Sequence, residues 1–337
     1  MKLVTYTNSN EARLGVLVDS TIYDLNAHDG SLPSDMLSFL QMGEGAMDKA
    51  RAVEQTILNG NGNAALGYDE KTVLSPITNP TSCRDAYAFR QHVFTARRNR
   101  GVDMIPEFDQ FPIWYFTNHN AVQGPGPIEC MPDHFHKLDF ELEVAIIVGK
   151  KGRNIKAAEA DEYIAGYLIM NDMSARLIQM EEMRLNLGPA KGKDFSTAVG
   201  PFLVTTDEME QYLKPTKPGH TGNQYDLTMT CKVNGVEVSR GNAGDMDWTF
   251  AEILERCAYG ADIYPGDVIG SGTVGTGCFM ELNGSAKLAD PNSTPQWLKD
   301  GDTVEMEITG LGKLVNTIQA VDSTHSLLAL KKNMQTS

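Results

Sequence analysis

Leu138-Asp-Phe-Glu141-Leu-Glu143-Val-Ala-Ile-Ile-Val-Gly149 sets the reading of this 337-residue chain. The apolar run reads as a core strand. Side chains alternate across a strand, so Glu141 and Glu143 leave the same face, with Asp139 ahead of them. Unpaired carboxylates beside Val-Ala-Ile-Ile-Val are costly to bury. A hard divalent cation held by oxygen ligands makes the arrangement tolerable. An edge strand with one wet face is the competing reading.

Outward from this stretch, strand-like runs cover 200–205, 226–238, 267–270, 278–283 and 303–308. Between them the pattern predicts a helix from about Ser174 to Leu187. A second helix follows Thr249-Phe-Ala-Glu252, a capping-box spacing, and stops at Gly260. The N-terminal part reads as a β-meander, Lys2–Tyr6, Leu14–Val18 and Ile22–Leu25, followed by helix between Ser34 and Leu58. Asn59-Gly-Asn-Gly-Asn63 is a break, and Leu74-Ser-Pro-Ile-Thr-Asn-Pro80 an extended linker. The strands do not alternate regularly with helices, which argues against a doubly wound parallel sheet. The expectation is an α+β, predominantly β fold. A small β-rich N-terminal domain spans residues 1–75, and a mixed β-sandwich roll carrying the chemistry spans 76–337.

Composition removes several function classes. The 29 basic and 44 acidic residues give a formal charge of −15, with no Lys/Arg-rich run, so nucleic acid is not an expected partner. The five cysteines are scattered and never form a Cys-x-x-Cys pair, which argues against a disulfide framework or a zinc site. No segment approaches the ~20 apolar residues of a membrane span. The chain opens without a visible signal peptide, and the expectation is a soluble cytoplasmic protein.

Several motifs compete for the chemistry. Gly270-Ser-Gly272-Thr-Val-Gly275 has dinucleotide-type glycine spacing, but that pattern needs a helix opened by the third glycine. Cys278-Phe-Met-Glu-Leu282 reads as a strand instead, so these glycines are assigned to close backbone approach. His134-Phe-His136 with Glu141 matches a cupin metal cluster only in part and is placed in the loop before the strand. No Gly-x-Ser-x-Gly elbow supports serine-hydrolase chemistry. Asp172, Arg176 and Gln179 fall at i, i+4 and i+7, as either a solvated stripe or three polar groups aimed into a cleft. Asp85-Ala-Tyr87-Ala-Phe-Arg-Gln-His92 sets a carboxylate seven residues before a histidine, which by itself fits a structural histidine.

Taken in order, these segments resemble the fumarylacetoacetate hydrolase family. The resemblance runs over roughly residues 80–310: Asp85…Arg-Gln-His92, Leu-Asp-Phe-Glu141-Leu-Glu143, Met-Asn-Asp172-Met-Ser-Ala-Arg176, Gly-Lys193-Asp-Phe, Pro-Gly-Asp-Val-Ile…Ser-Gly-Thr273 and Met-Glu281-Leu. It implies metal ligands at Asp85, Glu141, Glu143 and Asp172, with Lys193 and Thr197 at or near the metal. It implies His92 as base, Glu281 as the carboxylate that orients it, and Arg176, Gln179 and Lys193 as stabilisers of developing negative charge. Tyr87, Tyr115 and Thr273 become substrate contacts. Met183 stands where the animal enzyme carries a substrate tyrosine, and a substrate arginine falls to Arg97, Arg98 or Arg100.

The implied activity is hydrolysis of a C–C bond in a 1,3-diketo acid, such as fumarylacetoacetate, fumarylpyruvate or another acylpyruvate, in aromatic-compound catabolism. The implied cofactor is a divalent cation, Mg²⁺ first, with Mn²⁺ or Ca²⁺ as alternatives, and the implied assembly a homodimer. The alternative is a lyase, decarboxylase or hydratase built on the same metal centre. A non-catalytic protein that keeps the fold would turn over no diketo acid.

Overall fold

A computed structural model describes residues 1–332 of the chain. Among the described residues, fifteen strands and the short strand Val122–Gln123 build two sheets. The fifteen are β1 Lys2–Asn8, β2 Glu11–Val18, β3 Thr21–Asp24, β4 Leu66–Gly67, β5 Ser82–Ala86, β6 Trp114–Thr117, β7 Gly126–Cys130 and β8 Leu142–Val148, then β9 Ile164–Asp172, β10 Thr197–Thr205, β11 Thr228–Val233, β12 Val236–Asn242, β13 Asp267–Gly270, β14 Thr303–Ile308 and β15 Gly312–Ala320. The larger sheet runs β4-β3-β2-β1-β10-β9-β8-β13-β5-β6, and the short pair Val122–Gln123 adds to β10. The smaller sheet runs β12-β11-β14-β15-β7. Neighbours are antiparallel, except that β13 lies parallel to β5, β15 to β7, and Val122–Gln123 to β10. Because β1 pairs with β10, the N-terminal meander extends the sheet that holds the candidate site.

The apolar run of β8 is buried on both faces. Val144, Ile146 and Val148 join the core shared with Ile128, Met229, Met306 and Leu314 of the smaller sheet. Ala145 and Ile147 join a second core with Leu3, Leu14 and the helices α1 Met36–Gln41 and α2 Glu44–Leu58. Burial on both faces explains why the run is continuous rather than alternating. The same condition hides β9, Ile-Ala-Gly-Tyr-Leu-Ile-Met-Asn-Asp, which the strand pattern misses although it is fully buried.

Four more helices matter here: α3 Arg90–Arg98, α4 Arg176–Met183, α5 Phe250–Ala258 and α6 Phe279–Ala289. The capping box at Thr249 and Glu252 forms and starts α5. The predicted helix from Ser174 is shorter at both ends, because Ser174 and Ala175 pair with Asp139 and Leu138 before α4 begins. The strand expected at 278–283 is a helix, α6. Its first turn is capped by a distant carboxylate, Asp139, which no local pattern in this segment could announce.

Candidate metal centre and active site

The centre of the larger sheet converges at one end. Glu143 is the second residue of β8, Asp172 closes β9, Thr197 opens β10, Gly270 closes β13, and Asp85 is next to last in β5. Register holds them there: Glu143 faces Met170, Asp172 faces Thr197, and Gly270 faces Asp85. Glu141 lies in the break between Leu138–Asp139 and β8, and its N–H donates to Asn171 Oδ1 at 3.2 Å.

The structure brings Asp85, Glu141, Glu143 and Asp172 together, each offering an oxygen within 4.8 Å of the others, and all four are buried. The Gly272 N–H closes one side, donating to Asp85 Oδ1 at 3.0 Å and Glu143 Oε2 at 3.1 Å. Lys193 closes the other. Its ammonium donates to Asp172 Oδ2 at 2.8 Å and also pairs with Glu141. Arg176, 1% exposed, donates through Nη2 to Glu141 at 2.8 Å and through Nη1 to Gln179 Oε1 at 3.0 Å.

The four carboxylates do not share one electrostatic condition. Burial opposes the charge on Glu141, but the adjacent Lys193 and Arg176 cations outweigh it and hold its carboxyl well below the usual range. Burial and the Asp172 charge push Asp85 up to about 7. Burial and the Asp85 charge raise Glu143 well above an ordinary glutamate, and burial raises Asp172 against the pull of Lys193. Two cations therefore leave the Asp85–Glu143 side short of positive charge.

The residues fit a hard divalent cation. Asp172 Oδ1 and Thr197 Oγ1 are buried without a hydrogen-bond partner. A Cβ at Gly270 would stand 2.6 Å from Asp85 Oδ1 and 2.8 Å from Glu143 Oε2, so only glycine leaves this space open. An all-oxygen donor set suits Mg²⁺, Mn²⁺ or Ca²⁺ rather than a soft metal.

Beside the cradle, His92 Nδ1 lies 2.7 Å from Glu281 Oε2, and both residues are buried. Glu281 Oε1 accepts from the Thr276 N–H at 3.0 Å. A carboxylate can only accept, so the imidazole carries its proton on Nδ1 and leaves Nε2 able to take one. Cys278 lies in the same cluster as His92 and Glu281. All five cysteines are free and buried.

The substrate-contact candidates divide. Tyr87 packs edge-on against His92, with ring centroids 5.9 Å apart. The Tyr115 hydroxyl donates to Asp172, and Thr273 Oγ1 lies 3.5 Å from Glu143 Oε1. Burial pushes the Tyr87 hydroxyl up to about 12, with Arg100 and Arg97 near enough to oppose it. Arg98 is turned toward α6, donating to Ser285 Oγ at 3.1 Å. Met183 is exposed. His134 stays apart from the cradle, accepting from the Met131 N–H at 3.2 Å and stacking on Phe195, with burial lowering its pKa to about 4.

Sequence reasoning missed the Gly272 N–H and the separate task of Asp139. The glycines of Gly270-Ser-Gly272 do permit close approach: Gly272 has φ +79°, and a Cβ there would meet the Ala86 carbonyl oxygen at 2.6 Å. Asp139 points away from the cradle, to Arg176 Nε at 2.9 Å and to the start of α6. No helix among the described residues is long and apolar enough to cross a membrane.

The chain is similar to known proteins in sequence and in fold. The family model described as fumarylacetoacetate hydrolase, C-terminal, matches residues 81–319. The human mitochondrial oxaloacetate tautomerase is 30% identical over 300 residues, covering 88% of this chain and 83% of that protein. The solved fumarylacetoacetate hydrolase of Exiguobacterium antarcticum superposes with a TM-score of 0.70 at 24% identity, covering 95% of this chain and 100% of that one. Maleylpyruvate hydrolase from Sphingobium sp. SYK-6, solved with manganese(II) and pyruvate, superposes at 0.67 with 19% identity, covering 95% of this chain and 99% of that one.

Proposed function

This chain belongs to the fumarylacetoacetate hydrolase family, and from that premise we propose that it hydrolyses a C–C bond in a 1,3-diketo acid, using a divalent cation. The observation that carries the reading is the buried His92–Glu281 pair beside the carboxylate cradle. Asp85, Glu141, Glu143 and Asp172 would hold the cation, with Thr197 and Lys193 next to it. When bound, the cation supplies the Lewis acidity that polarises the carbonyl under attack and stabilises an enolate oxygen.

His92 takes a proton from water at Nε2 as the water oxygen adds to the acyl carbonyl carbon. Glu281 keeps the imidazole in the productive tautomer and stabilises its charged form. The C–C bond then breaks toward the enolate of the keto acid, and the imidazolium returns its proton to the leaving carbon. Lys193 brings positive charge to the oxygen that becomes negative. Arg176 has its donors turned to Asp139, Glu141 and Gln179, so it orients Gln179 and Glu141 while adding charge. Tyr87, Tyr115 and Thr273 would contact the acyl and carboxylate ends, with Arg97 or Arg100 near Tyr87.

A second reading is keto–enol tautomerisation of an oxo acid, favoured by the name of the human relative. It uses the same base to move a proton between carbon and oxygen and needs no water. A panel of 1,3-diketo acids with Mg²⁺ or Mn²⁺, analysed for products, separates the two. Hydrolysis yields one carboxylic acid and one shorter keto acid or ketone. Loss of enol absorbance without new products would replace the hydrolase by the tautomerase.

A further inference from the structure

Asp139, in the break before β8, is fully buried, and four N–H groups converge on its carboxylate. Oδ1 accepts from Phe140 N at 3.0 Å and Phe279 N at 2.8 Å. Oδ2 accepts from Arg176 Nε at 2.9 Å and Met280 N at 2.9 Å. Burial pushes this carboxyl upward and Arg176 pulls it down. Each oxygen thus accepts two N–H bonds.

Phe279 and Met280 open α6, and Cys278 at its N-cap gives no side-chain cap. The orphan N–H groups and positive end of that helix are therefore served by Asp139. Glu281, the next residue, is the one that reaches His92. Arg176, the other partner, reaches Glu141 and Gln179. One carboxylate thus fastens both sides of the site to a single point.

We propose that Asp139 is a positioning residue that locks the His92–Glu281 pair in register with the Arg176–Glu141 side of the cradle. The proposal rests on the functional reading above only for the reaction followed. A displacement near 1 Å between a base and the group it serves can cost ~10²-fold in rate, so such a tie reaches turnover without touching substrate.

Asp139→Asn keeps the shape but puts an NH₂ group where an oxygen accepted two N–H bonds. Folded D139N should lose about 10–100-fold in kcat, with KM and metal affinity within about threefold. Its effect should be less than multiplicative with that of Glu281→Gln, because both act through the imidazole. A readout independent of turnover is the far-downfield proton NMR signal of His92 Nδ1–H, assigned by its absence in His92→Ala. That signal should move upfield or vanish in D139N. Asp139→Glu keeps the charge and lengthens the arm by one methylene; it serves if D139N does not fold, with the same expected outcome.

An unchanged His92 signal in a folded variant, or activity lost only in proportion to folded protein, overturns the proposal. If the wild-type protein hydrolyses no diketo acid while the signal still responds to D139N, the hydrolase reading fails and the positioning role stands.

Discussion

Asp85 and Glu143 accept from the same backbone N–H, that of Gly272, at 3.0 and 3.1 Å. These two buried carboxylates have only neutral donors, the Gly272 N–H and the Thr273 hydroxyl, while Lys193 and Arg176 sit on the opposite side with Glu141 and Asp172. This asymmetry marks where a cation adds most, and it makes the site's behaviour depend on metal and on pH.

Exhaustive chelation should abolish turnover, and Mg²⁺ or Mn²⁺ should restore it. Glu141→Ala and Asp172→Ala should each weaken cation binding measured by calorimetry. They should also leave Lys193, which pairs with both, with one buried partner instead of two. Full activity in metal-free protein is the result that defeats the metal assignment.

The pH dependence follows from Asp85, pushed up to about 7 by burial and by the Asp172 charge, and from Glu143, raised well above its ordinary value. Both must be unprotonated to bind a cation, so binding releases protons. Affinity should fall about tenfold per pH unit below pH 7 for each proton released. Calorimetry in buffers of different ionisation enthalpy counts those protons. Stability of the metal-free protein carries the opposite sign. The metal-free folded state holds protons that the unfolded chain gives up above pH ~4. The contribution is therefore complete at low pH and lost as pH rises through about 7. Melting of metal-free protein should drop between about pH 5 and pH 7, and saturating Mg²⁺ should reverse the drop. Identical curves at both values, with and without metal, would contradict this account.

Gly270→Ala tests the shape of the cradle. The added Cβ would lie 2.6 Å from Asp85 Oδ1, 2.8 Å from Glu143 Oε2 and 2.8 Å from Met170 Sδ, distances real Cβ atoms essentially never show. The carboxylates must move, while alanine is at home in a strand. The expected outcome is a folded protein with cation affinity reduced by roughly 10–100-fold. Unchanged affinity would place the cation elsewhere.

The core strand was legible from the apolar run Val144–Val148, and Glu141 and Glu143 beside it pointed either to a shared cation or to an edge strand with a wet face, the second of which their burial removes. Asp85 and Asp172 were not legible from spacing. They reach the cradle through pairing of β5 with β13 and of β9 with β8, contacts that only the family resemblance anticipated. β9 escaped because a strand buried on both faces shows no alternation. Helix α6 escaped for a different reason: its cap comes from Asp139, 140 residues earlier, so Cys278-Phe-Met-Glu-Leu282 shows only its apolar side chains.

The pair His92 and Glu281 supplies the base for both reactions proposed for the cradle, so the products have to separate them. The imidazole is pinned at 2.7 Å to a buried carboxylate that also accepts the Thr276 N–H, so it can change protonation state without changing place. His92→Ala should fold and bind metal with near wild-type affinity, because His92 is not among the four cradle carboxylates. Hydrolytic cleavage should fall by ~10²–10⁴-fold, the usual contribution of a positioned general base. Glu281→Gln should be slower as well, since an amide can accept the Nδ1–H but stabilises the imidazolium less. Running each variant in H₂¹⁸O decides the role: hydrolysis places one ¹⁸O in the acid released from the attacked carbonyl, whereas tautomerisation releases no acid. Suppose His92→Ala still cleaved a 1,3-diketo acid at near wild-type rate with ¹⁸O in the product. Water would then be activated elsewhere, and the Lys193-flanked side of the cradle would be the place to look.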